Sequence, residues 1–233
     1  SDNPSRPGYV NSYRFADVLF QLLKPYSMVV TGNGTAYTGT FQVMQIKKGT
    51  RVFTNQACAA MGYDLPAAIG ASFATGKGPV VLITGDGSVQ MNIQELQTIA
   101  YHQLPIKVFV LDNQGYLSIR ITQDTYFQGR HHASCPEGRV TCPDLCKVAK
   151  AYGLPTARLR SEALLKEKLA SMLRRPGPLV CTIRMDPCQT VLPKTASTTA
   201  PDGRLVSKPL EHMFPYLPRE QFFSSMIIPP RPE

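Results

Sequence analysis

Apolar runs alternate with amphipathic stretches along most of the chain, and the spacing within each predicts its element. Phe15, Val18, Leu19, Leu22 and Leu23 recur at helical spacing, which predicts a helix over 13–23 behind a lead bearing Pro and Ser. Ser27–Thr31 is a short apolar run ending in Gly32-Asn33-Gly34, and Arg51–Thr54 is another; both predict strands. The stretch 57–74, rich in Ala and other small residues, predicts a helix interrupted near Pro66. Residues 79–84 are continuously apolar between glycines, the pattern of a strand covered on both faces, and they run into Gly85-Asp86-Gly87-Ser88. Helical spacing resumes over 92–102 at Ile93, Leu96, Ile99 and Ala100. Ile106–Leu111 is the next strand, closed by Asp112-Asn113-Gln114-Gly115. Residues 122–140 are polar and irregular. A helix over 144–152, a strand over 156–159, a helix over 161–173 capped by Ser161, and an apolar strand over 178–185 complete the pattern.

Strands alternating with helices through short connections predict an α/β fold: a doubly wound, mostly parallel sheet with helices on both faces. Ligands of such sheets sit beyond the carboxyl ends of the strands, so the three glycine-bearing loops after residues 31, 84 and 111 should share one edge. From Asp186 onward the chain is rich in Pro, Ser and Thr and lacks periodicity until Pro218, which predicts an extended tail. The domain reading is a linker over 1–12, a ligand-binding domain over 13–187 and an extended C-terminal tail over 188–233.

Composition narrows the classes. A chain of 233 residues that is 43% hydrophobic can bury one sizeable core. The formal charge of +9 is dispersed, with pairs such as Lys47-Lys48 and Arg174-Arg175 but no stripe interleaved with aromatics. It reads as solvated surface with some attraction for anionic ligands, not as a nucleic-acid partner. No apolar run reaches the roughly 18 residues of a membrane span, and Ser1–Arg6 is not a signal peptide, so the expectation is a soluble, cytoplasmic protein. Cys58 and Cys181 lie in apolar surroundings and read as reduced core thiols. Cys135, Cys142 and Cys146, with His131 and His132 nearby, match none of the paired metal-binding spacings and read as coincidence in a loop leading into a helix.

The chemistry is carried by two of the loops. Gly85-Asp86-Gly87-Ser88 sets a carboxylate among glycines at a strand end, where backbone can approach a phosphate and the Asp can reach a cation bridging its oxygens. An Asp-Gly pair alone more often marks a plain turn. The second loop tips the balance, because Asn113 follows Asp86 by 27 positions, one strand–helix–strand unit. An Asp, an Asn amide oxygen and a backbone carbonyl are hard donors, and Mg²⁺ usually completes its octahedron with phosphate and water. No Lys or Arg interrupts 85–96 and no P-loop signature is present, so a diphosphate would be held through the metal.

Gly-Asp-Gly-Ser, a helix and Asn-Gln about 27 positions on resembles the signature of thiamine-diphosphate-dependent enzymes, and Ala60–Ala71 (AMGYDLPAAIGA) is similar to the corresponding segment of acetolactate synthases. The resemblance runs from about Tyr13 to Met185 and implies the thiamine-diphosphate-binding fold, here the carboxyl-terminal diphosphate- and Mg²⁺-binding domain. It implies Asp86, the Asn113 side chain and the Gly115 carbonyl as Mg²⁺ ligands. Gly34, Thr35, Gly85, Gly87 and Ser88 fall at the diphosphate, and Tyr116 at the cofactor or in the core. Met61 takes the place of the bulky residue that bends thiamine so that its 4′-imino nitrogen deprotonates C2, although a Met among alanines is also plain filler. The Ala59 carbonyl would accept from the aminopyrimidine. Phe127, Gln123 and His131 follow the metal loop, where substrate-facing groups and ordinary packing or solvated residues are both found.

Two departures shape the functional reading. Acetolactate synthases commonly carry Gln-His after the first-loop glycine, where this chain has Thr35-Ala36, and the run Pro201–Leu210 looks more like tails of related enzymes of bacterial sugar and polysaccharide pathways. The family's glutamate that protonates N1′ belongs to a separate pyrimidine-binding domain, which does not fit within these residues. The lead Asp2–Tyr13 resembles an interdomain linker, which favours an excised domain. The expectation is half of the active site of an enzyme that decarboxylates a 2-keto acid, pyruvate first, and passes the acyl unit to a carbonyl acceptor. Its partner would be a pyrimidine-binding domain of the same polypeptide or another subunit, and the full-length enzyme a homo-oligomer. A simple 2-keto acid decarboxylase and a non-catalytic regulatory or assembly module are the alternatives.

Overall fold

The computed structural model describes residues 6–199 and 202–228; the expected linker residues 1–5 and Pro201 of the tail motif lie outside the described residues. The chain divides into two compact units, the first ending at Gln189 and the second beginning at Thr190.

The first unit follows the order α1 (Ser12–Leu22), β1 (Met28–Thr31), α2 (Thr35–Val43), β2 (Arg51–Phe53), α3 (Asp64–Ala74), β3 (Val80–Gly85) and α4 (Asp86–Val89). A 3-10 turn (Gln90–Glu95) leads to α5 (Leu96–His102), β4 (Ile106–Asp112), α6 (Leu117–Tyr126), α7 (Leu145–Ala151), β5 (Thr156–Leu159), α8 (Leu165–Arg174) and β6 (Leu179–Arg184). The six strands pair in the order β2-β1-β3-β4-β6-β5, and every pairing is parallel. This is the doubly wound sheet that the alternation of elements predicts.

Side-chain alternation divides the core. Val81 and Ile83 of β3, with Phe109 and Leu111 of β4, face Phe15, Leu19 and Leu169 of α1 and α8. Val80 and Leu82, with Val108 and Val110, face Leu65, Ile99 and Ala149 of α3, α5 and α7. Each such fully buried side chain contributes roughly 1.5–3 kcal/mol, and strands covered on both faces have no polar face to present. Lys107 is the exception within β4; its ammonium reaches the carbonyls of Arg175 and Gly177 after α8, so the charge is solvated by backbone.

Several expectations need correction. The helix expected over 57–74 begins only at Asp64, and residues 56–61 are an exposed loop. Pro66 does not interrupt it, because it sits in the first turn, where its missing N–H has no intrahelical partner to lose. The expected helix over 92–102 is broken by the non-helical backbone of Asn92, and the α-helix starts at Leu96. Ser161 does not cap α8, which starts at Leu165 behind a left-handed Leu164. Three helices of the first unit were not foreseen: α2, the short α4 in the loop after β3, and α6 at the front of the stretch expected to be irregular. In α6 only Leu117 and Arg120 are buried, so helical periodicity leaves little mark on the sequence.

The second unit is not simply extended. β7 (Ser197–Thr199) and β8 (Leu205–Ser207) form an antiparallel pair, and α9 (Arg219–Ser225) follows. His212 stacks on Phe222 with centroids 4.1 Å apart and meets Tyr216 edge-on at 5.0 Å. Three-residue strands and a small aromatic cluster are too short to register as periodicity.

Candidate functional site

The chain leaves β1 toward β2 on one side and returns to β3 on the other, so the sheet order reverses between β1 and β3. At such a switch point the connections part and open a crevice at the carboxyl edge. A cavity of about 210 Å³ lies there. The loop after β1 contributes Gly34 and Thr35, the 56–63 loop contributes Met61, and the β3–α4 junction contributes Gly85, Gly87 and Ser88. Asn113, Gly115 and Tyr116 line it from the end of β4, with Ser118 and Ile119 from α6.

Asp86 is buried (1% exposed) behind this lining. The Gly87 N–H donates to its Oδ1 at 3.0 Å and the Gly115 N–H to its Oδ2 at 2.9 Å, which ties the β3 and β4 loops together. In-register pairing of Gly85 with Leu111 accounts for their meeting. Burial pushes the Asp86 carboxyl up to about 7; the Asp112 charge adds to the rise, and the Gly115 and Gly87 amides oppose it. The site therefore lacks positive charge where it holds a carboxylate, a deficit that a cation would correct.

Asn113 is also buried, and its Oδ1 has no hydrogen-bond partner among the described residues. A buried amide oxygen without a donor is costly, by roughly 1–3 kcal/mol, and calls for a ligand. Its backbone is fixed by Arg120, buried at 8% exposure, whose Nη2 donates to the Asn113 carbonyl at 3.2 Å and to the Pro187 carbonyl at 2.6 Å. Gly115 has φ +126°, and a Cβ there would lie 2.5 Å from the Ser134 carbonyl oxygen, so no other residue fits. A Cβ at Gly87 would run into the Tyr116 ring, which packs on that backbone. An orphaned hard oxygen, a buried carboxylate and side-chain-free backbone facing a cavity fit a divalent ion and a phosphate group.

Other expected residues fall around the cavity in different ways. The Ala59 carbonyl already accepts from Asn33 Nδ2 at 2.8 Å. Met61 is 37% exposed at the cavity wall. Gln123 clasps the following loop, donating to the His132 carbonyl at 2.8 Å and accepting from the Ser134 hydroxyl at 2.6 Å. His131 pairs with Asp124 at 2.6 Å, and Phe127 is exposed; none of these three lines the cavity.

The cysteines scatter. Cys181 is buried and Cys58 is exposed, against the expectation of two core thiols. Cys146 contacts the Ala157 carbonyl and the Thr182 hydroxyl, both at 3.3 Å, whereas Cys142 takes a hydrogen bond from Gln90 at 3.2 Å and lies against Asp86. Burial pushes the Cys142 thiol up to about 12, with the Asp86 charge adding to it. No group of three His, Cys, Asp or Glu that could hold a metal occurs among the described residues. Asp64, Asn92 and Arg120 escaped the sequence reading. The one available signal was Asp64, an acid inside an otherwise small and apolar run, and it reads as an ordinary helix start.

Residues 32–183 match the family described as thiamine pyrophosphate enzyme, C-terminal TPP binding domain. The chain is 36% identical over 140 residues to the acetolactate synthase large subunit of Cyanidium caldarium, covering 60% of this chain and 23% of that protein. It is 34% identical over 200 residues to the chloroplastic acetolactate synthase of Arabidopsis thaliana, covering 81% and 30%. Against the acetolactate synthase large subunit of Buchnera aphidicola subsp. Schizaphis graminum the identity is 32% over 187 residues, covering 79% and 32%. A thiamine diphosphate-dependent 4-hydroxybenzoylformate decarboxylase of Rhodococcus jostii RHA1 superposes with a TM-score of 0.70 at 18% identity, over 80% of this chain and 34% of that one, a likeness of fold. The chain spans only about a quarter to a third of the length of these curated relatives. Among the described residues no helix is long and apolar enough to cross a membrane.

Proposed function

The chain belongs to the thiamine pyrophosphate enzymes as their C-terminal cofactor-binding domain, and from that premise we propose that residues 13–187 grip the diphosphate of thiamine diphosphate through Mg²⁺ as half of an acetolactate synthase-like active site. The reaction we assign is decarboxylation of a 2-keto acid, pyruvate first, with transfer of the acyl unit to a carbonyl acceptor. The Thr35-Ala36 departure speaks against acetolactate itself as the product, and the Pro201–Leu210 run supports a place in sugar or polysaccharide biosynthesis. The observation that carries the reading is the buried, unpartnered Oδ1 of Asn113, which lines the same cavity as Gly115 and lies one loop from the buried Asp86.

Mg²⁺ takes few protein oxygens and keeps phosphate and water for the rest. Asp86, Asn113 Oδ1 and the Gly115 carbonyl would supply the protein oxygens. Backbone at Gly34, Thr35, Gly85, Gly87 and Ser88 would face the phosphates, with Tyr116 closing the wall. Met61 offers an apolar, polarizable surface beside them, and the Ala59 carbonyl keeps a second lone pair for an aminopyrimidine. The bound cofactor supplies a thiazolium carbon nucleophile and electron sink; the protein supplies anchoring and orientation. The remaining half of the site, including the carboxylate for N1′, we assign to a pyrimidine-binding domain of the same polypeptide or of a partner subunit in a cytoplasmic homo-oligomer. The short span of this chain relative to its relatives supports that assignment.

Titration of Mg²⁺ and thiamine diphosphate into the chain co-expressed with a pyrimidine-binding domain tests the reading. Saturable, Mg²⁺-dependent binding that Asp86→Ala abolishes is expected; unchanged affinity in that variant refutes it. Mass spectrometry of the products from pyruvate separates the chemistries: a branched keto product marks a carboligase, free aldehyde a simple decarboxylase, and bound cofactor without turnover a non-catalytic module.

A further inference from the structure

Asp64 opens α3 with a side chain that is 0% exposed, although carboxylates are almost never fully buried without partners. Two donors meet it: the Leu65 N–H donates to Oδ1 at 3.0 Å and the Ser88 hydroxyl to Oδ2 at 3.2 Å. The Thr84 hydroxyl also lies against the group, and it bonds the Gly85 carbonyl at 3.3 Å. The carboxylate also rests against the backbone at the end of β1, so closely that a Cβ on Gly32 would collide with Oδ2. Burial is the larger effect and leaves the group raised, while the hydroxyl and amide donors pull against it. The Leu65 N–H and the Ser88 hydroxyl each give one proton to one carboxylate oxygen, the arrangement a carboxylate accepts.

Ser88 has one proton and two lone pairs to spend. The proton goes to Asp64, and the oxygen accepts the Gly62 N–H at 3.0 Å. The Gly62 carbonyl accepts from Asn92 Nδ2 at 2.8 Å. Gly62 is buried while residues 56–61 and Tyr63 around it are exposed, so this peptide anchors the loop that carries Met61 to the sheet edge.

We propose that Asp64 is a positioning residue for the cofactor: it turns the Ser88 hydroxyl toward the Met61 loop, leaving Ser88 only its main-chain N–H for the diphosphate. The inference rests on the functional reading above and narrows the role that family resemblance gives Ser88. A hydroxyl whose proton is held by Asp64 has none to donate to a phosphate oxygen, whereas its lone pair is free to fix Gly62. Asp64 thereby couples the loop at the diphosphate to the loop at the thiamine rings.

Amide hydrogen exchange in the cofactor-free chain tests this directly. Asp64→Asn and Ser88→Ala should each speed exchange of the Gly62 amide at least tenfold, and the double variant should go no further than the faster single one. The Leu82 amide in β3 should stay within twofold, which a general loss of stability would not allow. Gly62 exchange within twofold of wild type in either folded variant overturns the proposal, and so do effects that multiply in the double variant. Should Asp64→Asn fail to fold, Ser88→Ala decides by the same readout. Binding adds a second arm: the variants should lose more affinity for thiamine diphosphate than for inorganic pyrophosphate, each with Mg²⁺, and equal losses overturn the proposal. A wild-type chain that binds neither ligand counts against the functional reading, while the exchange ratios still decide this one.

Discussion

Replacing Asp86 by Asn should stabilise the metal-free chain as the pH rises. In the fold burial raises this carboxyl from its usual 3.8 to about 7, so the folded chain keeps a proton that the unfolded chain releases. Below pH 3.8 both states are protonated and the group is neutral to folding. Through the window up to about 7 stability falls, and above it the loss is constant. The full linkage is roughly 4 kcal/mol, of which less than half has accrued by pH 5 and nearly all by pH 8. Asn has similar shape and does not titrate. It sets an NH2, which cannot accept, against one of the Gly87 and Gly115 amides, at a cost that does not change with pH. The difference in unfolding free energy between Asp86→Asn and wild type should therefore move by roughly 2–3 kcal/mol in favour of the variant between pH 5 and pH 8. Urea unfolding in EDTA at the two pH values measures it. A difference that moves by less than about 1 kcal/mol, or in the opposite direction, would refute the burial argument. Saturating Mg²⁺ with thiamine diphosphate should reverse the trend, because an ion stabilises only the charged form.

The other predictions concern neighbouring groups. Asn113→Ala should not lower metal-free stability and should raise it by up to roughly 1–3 kcal/mol, because it removes a buried amide oxygen that has no partner, yet calorimetry should show Mg²⁺-dependent cofactor affinity falling at least tenfold. Gly115→Ala should cost roughly 1–3 kcal/mol in urea unfolding, since φ is +126° and the new Cβ meets the Ser134 carbonyl; an unchanged midpoint would contradict the geometry. Phe109→Ala, at the centre of the sheet and packed on Phe15 at 5.5 Å between centroids, should cost roughly 3–5 kcal/mol by the same assay without moving cofactor affinity in the fraction that stays folded.

The strands and the loops that close them were legible because their determinants are local. Apolar runs such as 80–83 and 108–111 are buried by becoming strands of a sheet covered on both faces, and Asp86 and Asn113 stand one strand–helix–strand unit apart, which returns both to one edge. Helices with weak stripes were not legible. The buried positions of α2 are Thr35, Ala36, Gly39 and Thr40, small or polar residues that form no apolar stripe, α6 buries only Leu117 and Arg120, and the exposed 56–61 loop carries the same small residues as the helix after it. Tertiary structure alone decided the rest. That Asp64 meets Ser88 and Thr84, that Arg120 holds the Asn113 carbonyl, and that Cys142 lies against Asp86 each depend on separate segments packing at one edge. A side chain's hydrogen bonds are chosen by its neighbours in space, and one-dimensional spacing carries that information only where the two partners lie on adjoining, in-register strands.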